Sequence, residues 1–330
     1  MKTIGFFNNK GGLGKTTLVY HIAWMLSELG LRVIAADLDP QANLTSMFLE
    51  EERLEEIWAA SPAPTIDGVV SPQFLGTGDI LPPVIEEIDP RLGLLVGDLG
   101  LSRREDALSD AWPRCANGDR RAFRDMSTFA RTIATAGTTF NAQVTLIDVG
   151  PNLGALNRTV LLGCDFVVVP LGADLFSLQG LRNMGPTLEG WRKSWHRNRQ
   201  QNDDPDLVLP PGTMNPAGYV VMRHSITSGR PARAFSRWIA RMPAEYHEHI
   251  MGDLWPPPIS VEADPECLAI LKDYRSLMPL AQEARKPMFK LSPADGAFGG
   301  HQTAVTECRK DFRNLTQRII KACGLALPLF

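Results

Sequence analysis

The stretch that decides the fold is Asn8-Asn9-Lys10-Gly11-Gly12-Leu13-Gly14-Lys15-Thr16-Thr17. It follows a short apolar run at residues 4–7 and opens a segment with apolar residues at helical spacing: Leu18, Ile22, Met25, Leu26 and Leu29. A strand, a glycine-rich loop and a helix in this order are the context that a phosphate-binding loop requires. The sequence therefore predicts a nucleotide-binding α/β fold.

The glycines of this loop allow the backbone to wrap around an anion. Gly11, Gly12 and Gly14 lack a Cβ atom, so successive N–H groups can turn inward. The helix that starts near Lys15 adds its N-terminal dipole and its free N–H groups. We expect Lys15 to reach the β- and γ-phosphates of a bound nucleotide and the Thr16 hydroxyl to bind Mg²⁺.

One position departs from the general phosphate-loop pattern. The residue five places before Gly14 is Asn9 rather than glycine, and Lys10 directly precedes the glycine pair. Lys-Gly-Gly-x-Gly-Lys-Thr resembles the deviant Walker A motif of the ParA/MinD family of ATPases. The resemblance implies that Lys10 reaches the phosphates of a partner subunit in a nucleotide-sandwich homodimer. It also implies an ATP-binding set made up of Lys10, Gly11, Gly12, Leu13, Gly14, Lys15, Thr16 and Thr17.

Two carboxylates follow the next apolar strand, predicted at residues 32–36. The segment Asp37-Leu38-Asp39-Pro40-Gln41-Ala42-Asn43-Leu44-Thr45 places them at the carboxyl end of a strand, where open α/β sheets bind ligands. Two aspartates after a strand can also serve only to cap a loop. The segment closely resembles the Asp-x-Asp-Pro-Gln-x-Asn-x-Thr segment of the same family. By that resemblance Asp39 orients the attacking water and belongs to the metal shell, and Asp37 supports the same region.

A third motif lies at residues 144–154. The run Val144-Thr145-Leu146-Ile147-Asp148 resembles a Walker B strand, in which apolar residues end in an aspartate near Mg²⁺. The turn after it, residues 149–154, resembles the loop that senses the γ-phosphate in the family, with Gly150 in place of a proline. Taken together, the resemblance assigns catalytic roles to Lys10, Lys15 and Asp39, and metal binding to Thr16, Asp39 and Asp148.

Short continuous apolar strands between helical segments are typical of a buried parallel sheet. We therefore predict a mostly parallel twisted sheet with helices on both faces, of the P-loop NTPase type, in a single domain over residues 1–330. Residues 61–90 are rich in Pro and Gly and read as irregular, with one short helix at residues 66–70. We interpret residues 103–125 as an insertion and candidate partner surface, and residues 303–322 as a C-terminal helix. The adenine edge is assigned to Met222 and Arg223, after a late strand.

Composition limits the partners. The formal net charge is −3 over 330 residues, so nucleic-acid binding would require a local basic patch. Three stretches offer one, at residues 192–199, 223–241 and 309–321, although a charge run is more often a solvated helix face. The five cysteines form no Cys-x-x-Cys pair, and no long uncharged apolar run is present, which favours a cytoplasmic protein.

The resemblance implies a slow, Mg²⁺-dependent ATPase that is stimulated by a partner protein, forms a homodimer around ATP and binds DNA non-specifically. It is similar to the small, Soj-like branch of partition ATPases, which would place it on the bacterial nucleoid. One alternative is a membrane-associated, MinD-like ATPase, but the apolar tail at residues 324–330 is short and broken by Pro328. Another is a ParA-like ATPase that acts through a protein partner, for example in phage defence. A dinucleotide-binding dehydrogenase is disfavoured because the loop lacks Gly-x-Gly-x-x-Gly.

Overall fold

A computed structural model describes residues 1–222, 232–253, 258–274 and 276–328, with residues 232–235 described as backbone only. Its centre is one eight-stranded sheet. The strands are β1 (Lys2–Phe6), β2 (Val33–Leu38), β3 (Glu86–Asp89), β4 (Leu92–Leu95), β5 (Val144–Val149), β6 (Phe166–Gly172), β7 (Asn215–Met222) and β8 (Cys267–Leu271). Their order across the sheet is β3-β4-β2-β5-β1-β6-β7-β8.

All neighbouring strands are parallel except β3, which pairs antiparallel with β4 at one edge. The residues of β2 and β5 are buried throughout, as expected for parallel strands that are covered on both faces. The register pairs Asp37 with Asp148 at the carboxyl ends of β2 and β5. The phosphate loop follows β1, which pairs with β5, so all three motifs meet at one edge of the sheet.

Helices cover both faces of the sheet. They are α1 (Lys15–Glu28), α2 (Asn43–Phe48), α3 (Glu51–Ala59), α4 (Ile66–Leu75), α5 (Glu105–Cys115), α6 (Arg120–Phe140), α7 (Ala155–Leu162), α8 (Leu175–Arg199), α9 (Ala232–Ile239), α10 (Met242–Tyr246), α11 (Met278–Ala284) and α12 (Gly300–Ala322). One apolar core lies under α4–α8 and the other under α1 and α12. Alternate residues of β2 point into the two cores, Ile34 into one and Val33 into the other. The predicted fold class is confirmed.

The prediction for residues 61–90 was wrong in extent. The short helix becomes a ten-residue helix, α4, capped by Thr65, whose hydroxyl accepts from Gly68 N at 3.2 Å. It contains Pro72, one of the residues behind the Pro- and Gly-rich composition that was interpreted as irregular. Residues 86–89 form β3, whose acidic Glu-Glu-Ile-Asp sequence carries no strand signal of its own. These residues form a strand because their backbone pairs with β4 at the edge of the sheet.

Residues 103–125, predicted to be an insertion, lie in a 3-10 helix (Leu99–Arg104), α5 and the start of α6. Leu108, Ala111 and Cys115 of α5 are buried in the core beneath α4–α8. The C-terminal helix begins at Gly300, a few residues earlier than predicted, and ends at Ala322. Among the helices in the described part of the chain, none combines the length and the apolar character needed to cross a bilayer.

Candidate nucleotide-binding site

Asn8 organises the loop between β1 and α1. Its side-chain amide donates to Pro170 O at 2.5 Å, and its Oδ1 accepts from Lys10 N at 2.8 Å. Gly12 and Gly14 have φ values of 73° and 77°. These left-handed conformations strain any residue with a Cβ atom, so both glycines are required by backbone geometry. The backbone of the loop is therefore curled at Gly12 and Gly14.

The first turn of α1 is joined to the end of β5. Thr16 Oγ1 donates to Asp148 Oδ2 at 2.6 Å, and Lys15 Nζ lies 3.9 Å from Asp148 Oδ1. The Asp148 side chain is fully buried, and that of Lys15 is 11% exposed. The structure thus brings together the lysine and hydroxyl of one motif and the aspartate of another, which is the arrangement that holds a nucleotide phosphate and its cation in P-loop proteins.

Asp37, Asp39 and Asp148 form a buried acidic group beside this pair. Burial, reinforced by the charge of Asp148, raises the pKa of Asp37 to about 7. Burial also raises the pKa of Asp148 to about 6, against the opposing effects of Lys15 and Thr16. Asp39 Oδ1 accepts from Gln41 N at 3.0 Å and faces Gly150 across the cleft. A bound cation would offset the electrostatic repulsion among these three carboxylates.

The residues present fit Mg²⁺. Within the described residues, Asp148 Oδ1 is buried and has no hydrogen-bond partner, with Lys15 Nζ 3.9 Å away, so one carboxylate oxygen remains available as a ligand. In the described part of the chain no group of three or more His, Cys, Asp or Glu side chains is arranged to hold a metal ion. Mg²⁺ needs no such cage, because it keeps several waters and binds through one or two protein oxygens plus substrate phosphates. Thr16, Asp39 and Asp148 would contribute to that shell.

Lys10 has a partner within its own chain. Its Nζ lies 2.5 Å from Asp174 Oδ2, and the ammonium lies 5.9 Å from the centre of the Phe176 ring. Asp174 also caps α8, because its Oδ1 accepts from Ser177 N at 2.9 Å. Phe176 is 72% exposed beside this ion pair. Sequence reasoning did not identify Asp174; an aspartate three residues before a serine at a helix start was the available signal.

The remaining predicted residues are placed as follows. Gly11 faces Pro151 in the loop after β5. A Cβ atom at residue 11 would lie 3.9 Å from Pro151 Cγ. Leu13 is buried, and Thr17 O accepts a hydrogen bond from His21 Nδ1 at 2.7 Å. A Cβ atom at residue 14 would lie 3.5 Å from the methyl group of Met222, so Met222 borders the phosphate loop. Arg223 lies outside the described residues.

Asn157 is a second residue that the motifs did not reveal. Its side chain is 1% exposed and donates to the carbonyl oxygens of Gly150 at 2.8 Å and Asn152 at 2.7 Å. It therefore ties α7 to the loop that follows Asp148. A polar residue inside an apolar helix was the available signal, because a buried amide requires partners.

The basic stretch at residues 192–199 uses part of its charge for folding. Arg192 donates to the carbonyl oxygens of Thr213 at 2.8 Å and Met214 at 3.0 Å. Lys193 pairs with Glu189 at 2.5 Å. His196 and Arg197 are exposed on the same part of α8.

Ion pairs also engage arginines of the other two basic stretches. Most of residues 223–241 carry no described side chain, and Arg241 at its end pairs with Glu245 at 2.9 Å. In α12, Arg309 pairs with Glu28 at 2.6 Å. Lys310, Arg313 and Lys321 are exposed on the face opposite the buried stripe of α12.

Comparison with protein families identifies a match to AAA_31, an AAA domain, over residues 1–201. Protein IncC of Escherichia coli is 28% identical over 196 residues, which are 58% of this chain and 47% of IncC. The chromosome-partitioning ATPase Soj of Thermus thermophilus is 27% identical over 190 residues, 57% of this chain and 62% of Soj. The matched part of the chain thus spans about half the length of IncC.

Solved structures resemble the chain over nearly its whole length. Protein DIP2308 from Corynebacterium diphtheriae is 25% identical, covers 98% of each chain and has a TM-score of 0.74. A putative plasmid partition protein from Borrelia burgdorferi, solved with AMPPNP bound, is 17% identical over 97% of this chain and 98% of its own, with a TM-score of 0.57. At this identity the second likeness shows the fold alone.

Proposed function

The chain belongs to the AAA_31 domain family and to the ParA/MinD family of P-loop ATPases, and we propose that it is an ATP-gated switch of the partition or cargo-positioning type. It binds and hydrolyses ATP, forms a homodimer around the nucleotide and binds DNA non-specifically in that state. The observation that carries the proposal is the contact of Thr16 with buried Asp148, beside Lys15 and the unpartnered oxygen of Asp148.

Backbone N–H groups and side chains of this chain position the ATP phosphates and the attacking water. The curled loop directs N–H groups at the β- and γ-phosphates, and Lys15 neutralises charge there. Mg²⁺, when bound, would offset the negative charge that develops on the phosphates during transfer. Thr16, Asp39 and Asp148 would hold it, and Asp39 also orients the attacking water. Lys10 leaves Asp174 to reach the phosphates bound by the partner subunit.

This arrangement makes ATP part of the dimer interface. The exposed Phe176 beside Lys10 supplies apolar surface where the second subunit would dock. Hydrolysis removes the γ-phosphate that both subunits contact, and the dimer loosens. Turnover is slow until a partner protein stimulates it.

The output is DNA binding, because the exposed cations of α8 and α12 can contact phosphates without reading sequence. With this DNA output, we propose that the protein acts in the cytoplasm, on the nucleoid. The relative named for chromosome partitioning supports this assignment.

The test is binding to random-sequence duplex DNA with ATP, with ADP and without nucleotide, over a range of salt concentrations. We expect binding that requires ATP and weakens steeply with salt. Lys15→Ala serves as the control that cannot respond to ATP. Absence of binding with every nucleotide would refute the DNA output and favour the alternative of a protein partner.

A further inference from the structure

A carboxylate from a distant helix holds the start of α7. Glu105 Oε1 accepts from Ala155 N at 2.5 Å, and Oε2 accepts from Leu156 N at 2.9 Å. These N–H groups belong to the first turn of α7, where no backbone acceptor is available within the helix. Glu105 is the first residue of α5, and it lies 50 residues before Ala155 in the chain.

The close approach of Glu105 depends on Gly154. A Cβ atom at residue 154 would lie 2.5 Å from Glu105 Oε1, which no ordinary contact permits. Gly154 is the last residue of the loop that follows Asp148. Asn157 holds the same loop from its other side through the carbonyl oxygens of Gly150 and Asn152. Residues 150–154 are therefore clamped between α5 and α7.

The segment that leads into Glu105 is tied to the second carboxylate loop. Gly97 N donates to Thr45 Oγ1 at 2.8 Å, and Thr45 N donates to Asp37 Oδ2 at 2.8 Å. A Cβ atom at Gly97 would lie 2.8 Å from Asp37 Cγ, so the backbone there is packed directly on that carboxylate. Residues 97–105 thus contact both loops that carry the acidic group of the site.

The 3-10 helix between these two contacts is itself fixed. Arg104, at its end, donates to both oxygens of Asp67 on α4, at 2.7 and 2.9 Å, and this ion pair is buried. A bidentate pair of this kind restrains position as well as contributing energy. Movement of one carboxylate loop would therefore be transmitted to the other rather than absorbed between them.

We propose that Glu105 is a positioning residue for ATP hydrolysis. It fixes the position of the loop between Asp148 and α7 relative to the Asp37–Thr45 loop. This inference rests on the proposed function, and it gives residues 103–125 a role at the nucleotide site. Glu105 does not touch substrate. It acts by holding the N–H groups of Ala155 and Leu156, and with them the loop expected to sense the γ-phosphate.

The test compares Glu105→Ala and Glu105→Gln with wild type. Asp106→Ala is the matched control, because Asp106 is an exposed carboxylate in the same first turn of α5. Hydrogen exchange of the Ala155 and Leu156 amides is measured without nucleotide. Loss of both acceptors in Glu105→Ala should raise exchange on the order of tenfold, as for loss of a helix cap. Glu105→Gln keeps one acceptor oxygen and should fall between.

Steady-state ATPase kinetics supply the functional measurement. In Glu105→Ala we expect kcat to fall on the order of tenfold while nucleotide affinity changes by about twofold or less, because the phosphate loop is untouched. Asp106→Ala should match wild type in both assays. If Glu105→Ala does not fold, a partial fall of kcat in Glu105→Gln with unchanged affinity carries the test.

Three results would overturn the inference: unchanged amide exchange, changed exchange with wild-type kcat, or a parallel loss of affinity and kcat that indicates general damage. The Lys15→Ala variant distinguishes failure of the proposed function from failure of the Glu105 inference alone. If wild type hydrolyses ATP no faster than Lys15→Ala, the proposed function fails and takes this inference with it. If wild type is active and Glu105→Ala equals it, only the inference fails.

Discussion

Lys10 Nζ and Asp174 Oδ2 are 2.5 Å apart, which ties the lysine of the phosphate loop to the start of α8 in the same chain. Their side chains are 33% and 17% exposed, so the pair lies at the surface of the cleft rather than in the core. A lysine that acts on a partner subunit must first leave this carboxylate. In the proposed homodimer, loss of this pair would oppose dimerisation by its strength, which for such partly exposed pairs is about 1 kcal/mol or less per subunit.

Opposite effects are expected from removing the two members of this pair. Lys10→Ala should still bind ATP, but it should lose ATP-dependent dimerisation and the hydrolysis that depends on it. Asp174→Asn keeps an N-cap for α8 and frees Lys10 in both subunits, so dimerisation should strengthen by up to about fivefold for each subunit, or about 25-fold for the dimer. Size-exclusion chromatography with light scattering, with and without ATP, measures both. An unchanged ATP dimer and unchanged turnover in Lys10→Ala would refute the role in trans.

Lys15→Ala should reduce ATP turnover by about 100-fold or more, because we expect the Lys15 ammonium, which lies near Asp148, to neutralise the charge of the bound phosphates. Nucleotide binding by calorimetry should fall with it. Lys193→Ala, which removes an exposed lysine paired with Glu189, serves as the control and should leave both unchanged. Normal turnover in Lys15→Ala would contradict the assignment of the site.

Asp39→Ala should trap an ATP-bound dimer, because binding and dimerisation do not require the water that Asp39 orients. Turnover should fall by about 100-fold, while the dimer persists in the light-scattering assay after ATP is added. Asp39→Asn preserves size and the acceptor for Gln41 N. It should also be slow if the charge of Asp39 matters, and rapid hydrolysis by both variants would argue against this role.

His247 predicts a pH dependence of stability remote from the nucleotide site. Its ring nitrogens lie 2.7 Å from Asp253 Oδ2 and 3.2 Å from Asp264 Oδ1. Burial alone would lower the pKa of His247, but these two carboxylates outweigh it and raise the pKa above its usual value of 6.5. A raised folded-state pKa adds stability that is complete below the unfolded-state pKa and is lost as pH rises through the folded-state value.

The free energy of unfolding should therefore differ more between wild type and His247→Gln at pH 6 than at pH 9. A difference of about 2 kcal/mol at pH 6 is expected for hydrogen bonds to a charged group. Denaturant titrations at several pH values measure it. His196→Gln, at an exposed histidine on α8, is the control. A difference that is constant with pH, or that grows as pH rises, would contradict the charged state of His247.

Regions with weak local signals were the ones that sequence reasoning misjudged. The acidic strand β3 was missed because only its pairing with β4 makes it a strand. The length of helix α4 was underestimated because the Pro- and Gly-rich composition of residues 61–90 was interpreted as irregular structure. By contrast, α1 and α12 were predicted closely, since their apolar residues repeat at helical spacing and each is buried along that stripe.

The sequence by itself determined the chemistry at the carboxyl ends of β1, β2 and β5. Glycines that need left-handed backbone, and aspartates that end apolar strands, are local signals, so the loop from Lys10 to Thr17 and the residues Asp37, Asp39 and Asp148 could be named from them. Only the tertiary structure decided which side chains restrain that chemistry. Asp174 lies 164 residues from Lys10, and Glu105 lies 50 residues from Ala155. No periodicity or motif encodes such contacts, because they arise where separate helices pack against the same edge of one sheet.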